Sequence, residues 1–290
     1  MATLTRHDRI ARMKSSVMYA LCSVATLFLL STLVLVVGYL VFLGFSALWP
    51  WKALVSFFTT VPTAIPEDPG GMKHAFIGTL MLLAMASAVG VPLGMLAGVF
   101  LAEYSVDSKL AAPVRFVADV LAGVPSIVVG ILGYELIVVP MGQFSGIAGS
   151  LALAFIMIPI VARTTEEMLR LVPGSYREAS IALGASKART ILSVVIPSAT
   201  GSVVTGIMLA IARVAGETAP LLFTAGMSRF LTTDPTQPFP ALTTQIYRFV
   251  TGPFPAERQL AYAGIVVLIV LIFFINLAIR FATRGSKPVN

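Results

Sequence analysis

The sequence predicts an all-α, polytopic membrane protein of about six transmembrane helices, and three observations predict it. Of the 290 residues, 57% are hydrophobic and only 11% are charged, against roughly a quarter charged in soluble domains. Apolar runs of about 20 residues, each long enough to cross about 30 Å of hydrocarbon, recur along the whole chain. The basic residues stand mostly beside those runs rather than with aromatics on one soluble face, so a net charge of +7 does not point to nucleic acid.

Taken in order, the chain opens on RHDRIARMK and then runs apolar over about 17–45. That run far exceeds the roughly 7 to 15 apolar residues of a cleavable signal, so an uncleaved first span is expected. The second span, 74–101, opens near GGMKHAFIGTL, where glycines punctuate the preceding loop. The third, 113–139, contains LAGVPSIVVG. Pro125 lacks an N–H and crowds the carbonyl of Leu121, so a kink is expected there. The fourth covers 146–164, the fifth 198–225 and the sixth 260–282. This gives one membrane domain over 17–283 between an N-terminal tail, 1–16, and a C-terminal tail, 284–290.

Counting Lys and Arg by side orients the chain. With the N-terminus inside, the inner segments hold fourteen and the outer loops five, and an excess inside is the usual signal. Both termini and the polar segment 175–197 then face the cytoplasm. The longer outer loops, 46–73 and 226–258, are rich in Pro, Thr and aromatics, with Trp49 and Trp51 where an interfacial belt is expected. Cys22, the single cysteine, excludes a disulfide framework and reads as a lipid-facing or packing residue.

The segment 175–197, SYREASIALGASKARTILSVVIP, lies between two long apolar runs. Ser175 with Glu178 three residues later reads as a capping box opening a short helix. Gly184 can take the left-handed conformation that closes it, and 185–190 then begins another turn or two towards Pro197. Tyr176, Ala179 and Leu183 share one face at helical spacing. That face either packs on the chain's own membrane helices or lies in a groove on a cytoplasmic partner.

Glu178, Ala179, Ser180, then Gly184, then Val194, Ile196 and Pro197 resemble the EAA motif of ABC importer permeases, with conservative departures at Ser180, Val194 and Ile196. RTTEEMLRLVP at 163–173, AGVPSIVVG at 122–130 and IARVAGETAPLLFTAG at 211–226 are similar to the phosphate importer permeases of the PstA type, a resemblance covering about 74–283. It implies a type I importer, MetI-like bundle in a bacterial inner membrane, with Tyr176, Glu178, Ala179, Gly184 and Pro197 in a coupling helix that docks on the ATPase. It also implies a homologous companion permease, two ATPase subunits that use ATP and Mg, and an external phosphate-binding protein. No cofactor is expected in this chain.

Arg213 and Glu217 stand in the fifth apolar run, where a charge is costly and usually marks a pathway or an internal pair. Four residues apart, they share a helix face. Pro220 frees the carbonyl of Gly216, so the helix should weaken there, and broken helices at membrane depth tend to line cavities. One reading is a pair that neutralises itself or meets a companion subunit. The other has Arg213 present its planar donors to an oxyanion, with Glu217 either orienting it or accepting the proton that phosphate carries and sulfate lacks. Arg213 falls in the outer half of the membrane or nearer its middle, depending on where the span starts. Arg163, at the inner end of the fourth span, is a second pathway candidate, or else a snorkelling residue. Asp119 and Glu135 read as interfacial; His7 sits in a tail and His74 at an outer interface, and neither joins a metal cluster.

No G-x-x-x-x-G-K-[ST] loop occurs and no lysine follows a glycine, so the chain cannot be the hydrolysing subunit. No Ser, His and Asp set suggests a nucleophile. The expected function is the permease subunit of an ATP-driven phosphate importer. Its rivals are the same machine for sulfate, molybdate or a phosphonate, an ion-coupled secondary transporter, and a signalling scaffold.

Overall fold

The structure is a computed structural model describing residues 6–49, 51–63, 65, 67–105 and 108–283. The tail 284–290, with Arg284 and Lys287, and residues 1–5 lie outside the described residues. Eleven helices organise the rest: α1 (Arg6–Leu48), α2 (Trp51–Thr59), α3 (Lys73–Glu103), α4 (Ala111–Gly123), α5 (Ser126–Met141), α6 (Gly146–Arg170), α7 (Gly174–Ala182), α8 (Lys187–Ala215), α9 (Ala219–Thr224), α10 (Leu242–Thr251) and α11 (Pro255–Thr283). Among the described residues five of them, α1, α3, α6, α8 and α11, are long and apolar enough to cross a membrane, and the bent pair α4 and α5 meets the same test when taken together, for up to six spans.

That pair corrects the expectation of a kink. The axes of α4 and α5 differ by 103°. Val124 is extended at φ −67°, ψ 130°, and Pro125 follows at φ −57°, ψ 133°. The proline ring drives the residue before it out of the helical region, so the helix stops at Gly123 and restarts in a new direction. The fifth span is corrected too. It begins at Lys187, on the polar segment itself, and ends at Ala215, with Gly216 as its cap and α9 as a separate turn.

The centre of the bundle is α3 against α6. Gly90, Gly94 and Gly98, one per turn of α3, face Met157, Val161 and Thr165, one per turn of α6. A Cβ at Gly94 would stand 2.7 Å from that of Val161, and one at Gly98 2.5 Å from that of Thr165. Small residues permit this backbone approach, which is how membrane helices gain dispersion contact without a hydrophobic driving force. Leu82, Leu153, Met157, Val161, Ala210 and Val214 close the core around the seam.

The two broken spans lean on each other by the same device. Gly130 of α5 would carry a Cβ 2.8 Å from the Cα of Pro220, and Gly133 one 2.8 Å from Thr224 Cγ2. At one end, α2 and α10, unforeseen elements of the longer loops, gather Phe57, Met72, Leu242 and Phe249 against α11. At the other, the ends of α3 and α6 meet α7 and the start of α8, where Leu169, Val172, Val195 and Ala199 pack. α1 is longer than expected. It meets α11 near its C-terminal end, where Gly44 lies against Val266, and among the described residues most of its apolar side chains are exposed. Cys22, Trp49 and Trp51 are exposed, as the sequence suggests.

Candidate functional site

The short helix α7 forms where the polar segment predicts it, but its start differs. Its cap is Pro173, with no side-chain hydrogen bond, and the N–H of Tyr176 donates to the Pro173 carbonyl. Ser175 therefore lies inside the first turn and the capping box with Glu178 does not form. Pro173, held at φ −56°, turns the chain into the helix two residues early. The close is as expected. Gly184 sits at φ +86°; its N–H donates to Ile181 O, and that of Ala185 to Ser180 O. These two bonds are a Schellman motif, which satisfies the last carbonyls of the helix. Ser186 then caps α8, accepting from the N–H of Arg189.

Tyr176, Glu178, Ala179 and Pro197 are exposed, and Leu183 is 89% exposed. Ala179 and Leu183 are thus not packed on the chain's own helices, whereas Tyr176, 40% exposed, borders a hollow with Met168 of α6 and Ser198 of α8. Its neighbour Arg177 turns the other way. Arg177 Nη2 donates to Glu103 Oε1 at 2.6 Å, tying α7 to the end of α3. Lys187 lies 4.6 Å from the ring centroid of Tyr104, a cation–π contact that fixes the start of α8 to the same place.

Arg213 and Glu217 are brought together at the far end of α8. Arg213 Nη2 stands 3.6 Å from Glu217 Oε1, with the side chains 53% and 14% exposed. That separation is too long for a hydrogen bond, and among the described residues the Arg213 donors have no other partner. Glu217 lies just past the helix, between Gly216 and the fresh start at Ala219, and its carbonyl accepts from Thr243 Oγ1 on α10 at 2.9 Å. Pro220, one residue into α9, has no N–H to continue the ladder and so helps hold the break open. Arg213 occupies the last turn of α8, where the helix dipole favours a cation.

Arg163 is not part of that site. Gly206 of α8 meets Thr164, the residue after Arg163, and Arg213 lies seven residues further along α8, about 10 Å at 1.5 Å per residue. Arg163 instead joins a cluster that sequence reasoning missed. Glu166, 1% exposed, accepts from Arg115 at 2.8 Å and from Arg170 at 2.9 Å, with Arg163 at 3.4 Å. Arg163 also pairs with Glu167 at 3.0 Å. Arg163, Glu166, Glu167 and Arg170 fall at helical spacing, a legible signal; the contribution of Arg115 was not legible.

His74, at the start of α3, is fully buried, its Nε2 2.9 Å from Gln245 Nε2, so it joins α3 to α10 inside the fold. Asp119 and Glu135 are exposed. Among the described residues, no group of His, Cys, Asp and Glu could hold a metal.

The family described as binding-protein-dependent transport system inner membrane component matches residues 90–287. The phosphate transport system permease protein PstA of Pasteurella multocida is 38% identical over 282 residues, covering 97% of this chain and 99% of its own. That of Yersinia pestis is 42% identical over 233 residues, covering 80% and 79%. The fold is similar to that of a chain of the MetNI methionine ABC transporter in an inward-facing conformation, with a TM-score of 0.61 and 21% identity over 74% of this chain and 97% of that one. The chain therefore belongs to the binding-protein-dependent transport system inner membrane components, among the PstA phosphate transport permease proteins.

Proposed function

We propose that this chain is one transmembrane half of an ATP-driven phosphate importer in a bacterial plasma membrane, with both termini and α7 in the cytoplasm. The observation that carries the reading is identity of 38% with a PstA permease along nearly the full length of both chains. The excess of Lys and Arg on the α7 side supports the orientation. A homologous companion permease completes the pathway, two ATPase subunits dock on α7 and use ATP and Mg, and an external binding protein delivers phosphate.

The geometry suits that work. Leu183 and Tyr176 present apolar surface beyond the lipid region, with Glu178 beside them, as a groove on a partner requires. α8 is continuous from Lys187 beside α7 to Ala215 two residues past Arg213. Closure of the ATPases on ATP tilts α7 and so reorients the helix that carries Arg213. The pathway then switches from inward to outward access.

Arg213 offers open, planar donors to a tetrahedral oxyanion. Glu217 stands 3.6 Å from it, too far to engage those donors in a hydrogen bond. Near neutral pH a phosphate ion still carries an acidic proton and can donate to the Glu217 carboxylate, whereas sulfate has none to give.

Uptake of labelled phosphate and sulfate by cells lacking the gene, complemented with the native chain or with Arg213→Gln, tests this. Phosphate uptake should depend on the gene and on Arg213, with sulfate unaffected. Loss of sulfate uptake instead would assign another oxyanion, and uptake persisting without the ATPase would assign a secondary transporter.

A further inference from the structure

Arg177 precedes Glu178 in sequence but has a different outlook. Glu178 is exposed, while the Arg177 guanidinium turns into the junction of three helices. Its Nε lies 3.2 Å from both carboxylate oxygens of Glu103, the last residue of α3, and Nη2 donates to Glu103 Oε1 at 2.6 Å. Nη2 also donates to Leu169 O at 2.9 Å and Nη1 to Val172 O at 2.7 Å. Those carbonyls belong to the last turn of α6 and the residues just beyond it, where helical amides run out; Leu169 O also accepts from the Val172 N–H at 3.2 Å. The Glu103 side chain is 6% exposed, so the pair is sheltered from the water and salt that weaken surface ion pairs. Among the described residues, the side-chain hydrogen bonds from α7 to α3 are those of Arg177 alone. The other polar tether of α7, Ser180 to Thr190 at 2.8 Å, leads only to α8.

We propose that Arg177 and Glu103 form the rigid link through which displacement of α7 reaches α3 and α6, making Arg177 a positioning residue for energy coupling rather than part of the ATPase-binding face. The inference rests on α7 being the ATPase-docking helix. A planar fork holding a carboxylate and two carbonyls at once fixes α7 in orientation as well as position, which a lysine ammonium on a flexible stem does not. Beyond the link, the glycine seam of α3 against α6 is too tight for the two helices to slide independently. Motion imposed at Arg177 therefore moves them as one body.

The test uses the complete transporter, reconstituted in vesicles with its ATPase and binding protein. It measures ATPase retention, ATP hydrolysis and phosphate carried per ATP. Glu103→Gln removes the charge and one of the two acceptor oxygens that hold the Arg177 fork, without touching the α7 surface. It should keep the ATPase bound and hydrolysing while phosphate per ATP falls about tenfold, within the range of coupling between distant sites. Arg177→Lys should show a smaller loss of the same kind, and Glu103→Asp should recover part of the ratio. An unchanged ratio in Glu103→Gln overturns the link, as does a loss of hydrolysis and ATPase binding in proportion to uptake, which would mark a merely structural role. Glu178→Lys is run alongside; normal ATPase binding there would refute the docking reading itself, independently of the Glu103 result.

Discussion

Arg115 and Glu166 lie 51 residues apart in the chain and 2.8 Å apart in the fold. The contact ties α4, the first arm of the broken pair α4 and α5, to the C-terminal part of α6. Glu166 is the hub, since Arg170 and Arg163 reach the same carboxylate. Removing the hub leaves three guanidinium groups to repel one another, whereas removing Arg115 leaves Glu166 still paired. Breaking a buried ion pair costs about 3–5 kcal/mol, and the half-exposed arginines reduce that to about 1–3 kcal/mol here. Glu166→Gln should therefore lower the unfolding temperature of the detergent-purified protein more than Arg115→Gln does. Equal effects would show that Glu166 is no hub.

Arg213→Gln should spare assembly and impair flux. The arginine makes no short hydrogen bond in this state, so its loss leaves little unsatisfied and the fold should tolerate it. A hydrogen bond to a charged group contributes about 1.5–3 kcal/mol, so initial phosphate uptake should fall by about tenfold or more. Co-purification of the ATPase should be unchanged. Normal uptake by Arg213→Gln would remove this residue from the pathway.

Gly184 is a place where a side chain fails for conformational reasons alone. Nothing lies within 4 Å of a Cβ added there, yet φ is +86°. A non-glycine residue in that region costs about 1–2 kcal/mol, and a β-branched one costs more. Gly184→Val should distort the end of α7, displace Leu183 and weaken ATPase binding, while the protein still accumulates in the membrane. Glu178→Lys should weaken binding without that distortion. Pull-down of the ATPase with each variant measures both, and full binding by the two together is incompatible with docking at α7.

Much of this architecture was legible in the sequence, and what was not has identifiable causes. Apolar runs located the spans because crossing hydrocarbon demands length and little else. Pro125 announced an interruption, but the 103° between α4 and α5 depends on where α5 can rest, against Pro220 and Thr224. The fifth span begins earlier than its apolar run because Lys187 and Arg189, which read as loop, open the helix α8. Ser175 and Glu178 have capping-box spacing, but Pro173 fixes the start of the helix before Ser175 is reached. Arg213, Glu217 and Gly216 stand out in the sequence because a charge or a break within an apolar run is local. Glu103 with Arg177, Arg115 with Glu166 and His74 with Gln245 were missed because each joins residues at least 51 apart. No periodicity carries that information.

The seam between α3 and α6 gives the sharpest prediction for stability. An alanine at Gly98 would bring its Cβ to 2.5 Å from Thr165 Cβ and 2.6 Å from Ala162 O, so the two backbones must separate. Overpacking a close-packed site costs about 1–3 kcal/mol, and here the seam also carries the proposed link from α7. Gly98→Ala should lower the unfolding temperature and reduce phosphate uptake together. Gly38→Ala is the control: that position lies within α1 with nothing inside 4 Å. Replacing a mid-helix glycine by alanine there should be neutral or stabilising by up to about 1 kcal/mol. If Gly98→Ala matched Gly38→Ala in unfolding temperature, the close approach of α3 and α6 would not exist in the folded protein, and α3 would be free to move apart from α6.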